Sequence, residues 1–121
     1  MKNQPFLHRL SFSLQGICSA WKREASFRFQ SLMAMAVLAL LAVLRPPAIW
    51  WALLLMNCAL VLAAELFNTA LEAALDHLHP DLHPAIKVSK DCAAGAVLVF
   101  SLSSAGTFIA FLWSLRSSTS P

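Results

Sequence analysis

The chain has 121 residues, 59% of them hydrophobic and 12% charged, with a net charge of +3. A soluble domain of this length has too much surface to hide that share of apolar side chain, and averages about a quarter charged residues. The composition excludes an ordinary soluble monomer, a disordered chain and a disulfide mini-protein, and leaves a small integral membrane protein. Tyr is absent and only 3 Gly occur, while Ala and Leu dominate. That bias favours helices over a transmembrane barrel. The small basic excess is no nucleic-acid footprint. Cys18, Cys58 and Cys92 lack the paired spacing of a zinc site, and Cys58 sits in an apolar run where cysteine acts as a small hydrophobe.

Residues 1–23 lack a signal peptide's apolar core and cleavage site. Over residues 5–23, a helical projection puts Phe6, Leu10, Leu14, Ile17 and Trp21 on one face and His8, Gln15, Ser19 and Lys22 opposite. This is an amphipathic helix for a membrane surface, or equally for a protein face. A first span is expected at 27–44, with Arg28 able to snorkel, and Arg45-Pro46-Pro47 ends it. A second span follows over 48–75, opened by Trp50 and Trp51 as an interfacial belt. The third covers 91–115. It carries Ser101 with Ala105, Ser103 with Thr107 and Gly106 with Ala110, small residues at a spacing that permits close helix approach. The expected architecture is all-α: one membrane domain over 1–121, a surface helix plus three transmembrane helices. The Ser/Thr tail over 117–120 is expected to fray.

Lys2, Arg9, Lys22 and Arg23 precede the first span, Arg28 lies at its very start, and Lys87 and Lys90 lie in a loop at 76–90; Arg45 and Arg116 lie on the other side. The positive-inside rule puts the N-terminus and that loop in the cytoplasm.

The second span holds Glu65, Asn68, Glu72 and Asp76. At helical period all four fall within an arc of about 80°. Glu65 lies about 26 Å along the helix from Ala48, near the inner hydrocarbon edge. Ionisable groups at that depth are costly and mark function. A stripe of acids repels itself unless cations sit on it. Oxygen ligands suit magnesium, which takes one or two carboxylates and completes its shell with phosphates and water. That is the metal pattern of phosphoryl transfer. Glu24, Ser26 and Arg28 flank the same interface, as do Lys90 and Asp91. Between them lie His77, His79, Asp81 and His83, without a cysteine partner or regular spacing for zinc. With only Gly16, Gly95 and Gly106, no glycine-rich phosphate loop exists. Three thin spans shelter little of such a stripe, so an oligomer is expected.

The strings Trp-Lys-Arg-Glu-Ala-Ser-Phe-Arg (21–28), Ala-Glu-Leu-Phe-Asn-Thr-Ala-Leu-Glu-Ala-Ala-Leu-Asp (64–76) and Ser-Lys-Asp-Cys-Ala-Ala-Gly-Ala-Val (89–97) resemble the prokaryotic diacylglycerol kinases. The resemblance runs from about Arg9 to Trp113. It implies a homotrimeric lipid kinase of the bacterial inner membrane, with active sites shared between subunits. Such an enzyme transfers the γ-phosphate of magnesium ATP to diacylglycerol or to undecaprenol. By position, Glu65 resembles the general base and Asn68 the residue orienting the cluster. Glu24 and Glu72 resemble the magnesium ligands. Phe12, Glu24, Glu72, Asp81, Leu82, His83, Lys90 and Asp91 correspond to the ATP site. Arg9, Ser13, Ser26, Phe27, Arg28, Phe29, Gln30, Glu65 and Ala94 correspond to the lipid site. Phe12 stands where the family often has a tyrosine, Gln30 where an acid is frequent, and Pro84 and Val88 where polar residues are frequent. The Glu-Ala-Ser-Phe-Arg stretch is closer to the diacylglycerol branch. Two other classes compete: a small multidrug-type transporter, which usually has four spans and one carboxylate near mid-bilayer, and a noncatalytic membrane scaffold.

Overall fold

The computed structural model describes residues 3–119, with side chains through 117. Lys2 of the basic set, and Ser120 and the side chains of Ser118 and Thr119 in the tail, lie outside the described residues. Four helices follow in order: α1 Phe6–Arg23, α2 Ala25–Leu44, α3 Ala48–Leu78 and α4 Pro84–Thr119. The last three are long and apolar enough to cross a membrane.

A single residue separates α1 from α2. Glu24 is extended (φ −115°, ψ 111°), its N–H reaching back to Ala20 O at 2.9 Å and its carbonyl accepting from Arg28 N at 3.2 Å. No side chain caps the start of α2. The end of α1 is secured by the Arg28 guanidinium, whose Nη1 donates to Trp21 O at 2.6 Å and Lys22 O at 3.2 Å. These are carbonyls that a helix C-terminus leaves without an internal partner. At the other end of α2, Arg45 adopts a left-handed conformation (φ 47°) and its N–H closes on Leu41 O at 2.8 Å. Pro46 cannot continue the helix.

The bounds differ from the sequence reading at the third connection. The expected loop over 76–90 shrinks to residues 79–83, because α3 runs on to Leu78 and α4 begins at Pro84. Proline lacks only an N–H that the first helical turn leaves unpaired, so it opens a helix as readily as it closes one. His83 Nδ1 accepts the Ala85 N–H at 3.0 Å, which replaces a missing helical partner. Lys87, Lys90 and Asp91 are therefore helical, and Lys87 Nζ meets Asp91 Oδ2 one turn on at 2.6 Å.

Helices α3 and α4 form an antiparallel pair, joined near mid-helix by Asn57 and at the turn end by Lys90 and Asp76. Leu41, Leu54 and Phe111, one from each spanning helix, are buried at the Pro46–Pro47 end. Trp50 and Trp51, expected as an interfacial belt, are half-buried against this cluster; the Trp50 and Phe111 ring centroids lie 5.5 Å apart. The small-residue rows of α4 divide. Ser103 and Thr107 face Asn57, but a Cβ built on Gly106 would meet nothing within 4 Å, so that row marks no close approach inside one chain. Toward the other end, Ala20, Phe27, Val61, Ala64 and Glu65 are buried. This second buried layer is where α1, α2 and α3 meet.

Candidate active site

Helical periodicity aligns Glu65, Asn68, Glu72 and Asp76 along α3, and burial grades along the stripe. Glu65 is 3% exposed, Asn68 and Glu72 are half-buried, and Asp76 is exposed. Glu65 Oε1 accepts a hydrogen bond from Ser26 Oγ of α2 at 3.1 Å. Thr69, one turn on, gives its hydroxyl to the Glu65 carbonyl rather than to the carboxylate. Asn68 Nδ2 lies 3.4 Å from Glu72 Oε1, a weak bond, and its Oδ1 is buried without a partner. A buried unsatisfied oxygen among carboxylates calls for a donor or a cation.

The break at Glu24 brings a fourth acid to this stripe. Glu24 is half-buried, and both it and Glu72 lie near enough to act on Glu65 by charge. Repulsion among three carboxylates at the rim of an apolar bundle destabilises the chain by itself. Among the described residues, no group of three His, Cys, Asp or Glu side chains converges enough to hold a metal alone. The donors are all oxygen, and any cation there takes further ligands from elsewhere. Lys90 Nζ of α4 binds Asp76 Oδ1 at 2.5 Å, within reach of the Glu72 charge.

The remaining sequence candidates are dispersed. Asp91 is exposed and paired with Lys87. Asp81, Leu82 and His83 lie exposed in the 79–83 turn, where His79 and His83 rings stack edge-on at 5.9 Å. Phe12 is exposed on α1, as are Arg9 and Ser13, and Ser13 Oγ is committed to Arg9 O at 3.0 Å. Ser13 also lines an apolar cavity of about 720 Å³ between α1 and α3, beside Arg23, Leu66 and Phe67. The run 26–30 winds around α2 and touches five different surroundings. Ser26 meets Glu65, Phe27 is 4% exposed, Arg28 caps α1, Phe29 points outward and Gln30 Nε2 bonds Ser101 Oγ at 3.2 Å. Ala94 is exposed on α4.

Two features had no sequence signal of their own: the Ser26 bond to Glu65, across 39 positions, and the Arg28 cap. A third had one. Asn57 is a lone amide in an apolar run, and the small polar row on α4 is its partner.

Comparison with known proteins closes the question of class. Residues 11–112 match the family model of prokaryotic diacylglycerol kinase. The chain is 33% identical over 104 residues to a diacylglycerol kinase of Helicobacter pylori strain J99, covering 86% of this chain and 77% of that one. It is 30% identical over 103 residues to the diacylglycerol kinase of Escherichia coli K12, covering 85% and 84%. It is 34% identical over 88 residues to the undecaprenol kinase of Bacillus subtilis 168, covering 73% and 72%. With a single family spanning most of its length and three membrane-length helices carrying the acidic stripe, the chain belongs to the prokaryotic diacylglycerol kinase family and is a multi-pass membrane lipid kinase.

Proposed function

We propose that the chain transfers the γ-phosphate of ATP to the hydroxyl of diacylglycerol, with Glu65 as general base. The observation that carries this reading is the Glu65 carboxylate, 3% exposed beneath the exposed, charged end of α3 and α4, with two further acids beside it. A carboxylate there meets a lipid hydroxyl arriving from the bilayer on one side and a nucleotide on the other. Glu65 takes the hydroxyl proton as the new oxygen–phosphorus bond forms; the bond from γ-phosphorus to the bridging oxygen breaks, and ADP leaves. Enforced proximity and general-base help are what a protein adds to this reaction.

Glu24 and Glu72 are the residues that would hold magnesium, with Asn68 steadying Glu72. Magnesium held there would supply positive charge against that developing on the phosphates. The donor set fits, being all oxygen and too sparse to enclose an ion without phosphate and water ligands. Lys90 exchanges Asp76 for phosphate oxygens. Its present ion pair is partly solvated, and such pairs are easily exchanged.

We further infer a homotrimer with shared sites, lying in the inner membrane with the 79–83 turn in the cytoplasm. A single chain leaves Phe12, Asp81, Leu82, His83 and Asp91 apart from the carboxylates, which supports a site completed by a neighbour. The apolar face of α1 lies on the membrane surface: Phe6, Leu10, Leu14, Ile17 and Trp21 are all exposed, and only Ala20 of that helix is buried.

The choice of diacylglycerol rests on the Glu-Ala-Ser-Phe-Arg stretch and on the matches to the Helicobacter pylori J99 and Escherichia coli K12 kinases, which cover 86% and 85% of this chain against 73% for the undecaprenol kinase. The test is a side-by-side assay of the purified protein with magnesium ATP and each lipid. Phosphatidic acid formation at the higher kcat/KM supports the assignment; faster phosphorylation of undecaprenol transfers the chain to that branch.

A further inference from the structure

Glu65 has two carboxylate oxygens, and only one is needed to receive a proton. The other, Oε1, accepts a hydrogen bond from Ser26 Oγ at 3.1 Å. The other hydroxyl and amide within a turn of Glu65 are spent elsewhere. Thr69 Oγ1 donates to the Glu65 backbone carbonyl at 2.9 Å, and Asn68 Nδ2 lies toward Glu72. Ser26 itself stands on a fixed stretch of chain. Its neighbour Phe27 is 4% exposed, and the next residue, Arg28, is pinned to Trp21 O and Lys22 O. The serine therefore presents its hydroxyl from a locked helix start, two residues after Glu24.

We propose that Ser26 is a positioning residue for this kinase: it holds Glu65 by Oε1 and so leaves the second oxygen aimed at the lipid hydroxyl. This rests on the reading of Glu65 as base. A buried carboxylate without that anchor rotates about its last side-chain bond and spreads over orientations that do not face the acceptor. Misplacement of about an ångström in a reacting group costs up to about a hundredfold in rate. A hydrogen bond to a charged group is worth about a tenfold factor or more. The effect falls on kcat, because the bond orients the base rather than holding ATP.

The test compares Ser26→Thr with Ser26→Val, two side chains of one shape that differ in the hydroxyl, alongside Ser26→Ala. Activity is measured on diacylglycerol in mixed micelles at saturating magnesium ATP, with thermal unfolding as a check on folding. Thr is expected to keep kcat within about threefold of the parent; Val and Ala are expected to lose roughly tenfold, with KM for ATP and lipid within twofold. Adding Ser26→Val to Glu65→Gln should cost nothing more. Equal kcat for Thr and Val overturns the proposal. So does a loss confined to KM for lipid, which would make Ser26 a lipid contact. A loss that multiplies with that of Glu65→Gln overturns it too. If Glu65→Gln alone keeps kcat within tenfold, the base reading itself fails and takes the role of Ser26 with it. An inactive Glu65→Gln beside a fully active Ser26→Val removes Ser26 alone.

Discussion

Helix α3 carries two polar clusters about 12 Å apart along its axis, and they are built on opposite principles. Asn57 is closed: its Nδ2 donates to Leu53 O at 2.8 Å and Thr107 Oγ1 at 3.2 Å, and its Oδ1 accepts from Ser103 Oγ at 3.1 Å. Even its backbone carbonyl takes Ser104 Oγ at 3.4 Å. Glu65 and its neighbours are open. One hydroxyl reaches Glu65, one long amide contact reaches Glu72, Asn68 Oδ1 has no partner, and three acids share the space. Neutral donors and acceptors can satisfy one another inside an apolar bundle, and then nothing more is needed. Clustered carboxylates cannot, and they persist where an outside cation, donor or substrate completes them. Polarity inside a span marks a helix joint in the first case and, on the proposed reading, a working site in the second.

The largest consequence of that difference falls at Glu65. Glu65→Gln keeps size and polarity but cannot take the proton. Turnover should fall by about 10²- to 10⁴-fold, the usual range for a lost general base, while ATP binding stays near the parent value. Steady-state kinetics with nucleotide-binding titration checks it, and a fall below tenfold removes the base assignment. Next come Glu24→Gln and Glu72→Gln. On the proposed reading each removes one charged ligand from a shared cation, so each should raise the magnesium concentration needed for half-maximal rate. Unchanged magnesium curves for both would take them out of the metal set. Mixing Glu24→Gln and Glu72→Gln chains, at a magnesium concentration too low for either alone, should also restore some activity if one interface carries both parent residues. No recovery in well-mixed oligomers would mean that each chain builds its own site.

The open cluster was the more legible of the two. Glu65, Asn68, Glu72 and Asp76 announce themselves by helical period, and the structure keeps them on one α3 stripe with burial falling toward the turn. Glu24 reads as a junction residue and is one, although nothing in its neighbours foretells a break of a single extended residue. Legibility fails where the cause is tertiary. The run 26–30 reads as one surface, but an α-helix turns five consecutive residues through more than a full circle, so each finds a different neighbour. Pro84 reads as a loop residue because proline alone does not say whether it ends a helix or begins one; the His83 ring that takes the Ala85 N–H decides it. Asn57 gives only a faint signal, because one neutral amide barely alters an apolar run. Its meaning depends on Ser103 and Thr107 lying opposite, and nothing but the α3–α4 pairing brings them there.

The smallest expected effect tests the closed cluster. Asn57→Ala removes the two side-chain bonds that cross from α3 to α4. The abandoned hydroxyls are not stranded. Thr107 Oγ1 already donates to Ser103 O at 2.9 Å, and a serine in a helix can turn to a carbonyl of its own preceding turn. Ser104 keeps its bond, because its acceptor is the Asn57 backbone. Polar bonds between membrane helices average about 0.6 kcal/mol and reach about 1.7, so the loss should be about 1–2 kcal/mol of stability. The unfolding midpoint in detergent should drop accordingly, while kcat below that midpoint stays within twofold of the parent. Glu65 lies about two turns away and shares no partner with Asn57, so a structural joint should not touch the chemistry. A fully folded Asn57→Ala protein with a large fall in kcat would show that the two clusters act as one, and the distinction between joint and working site would not hold.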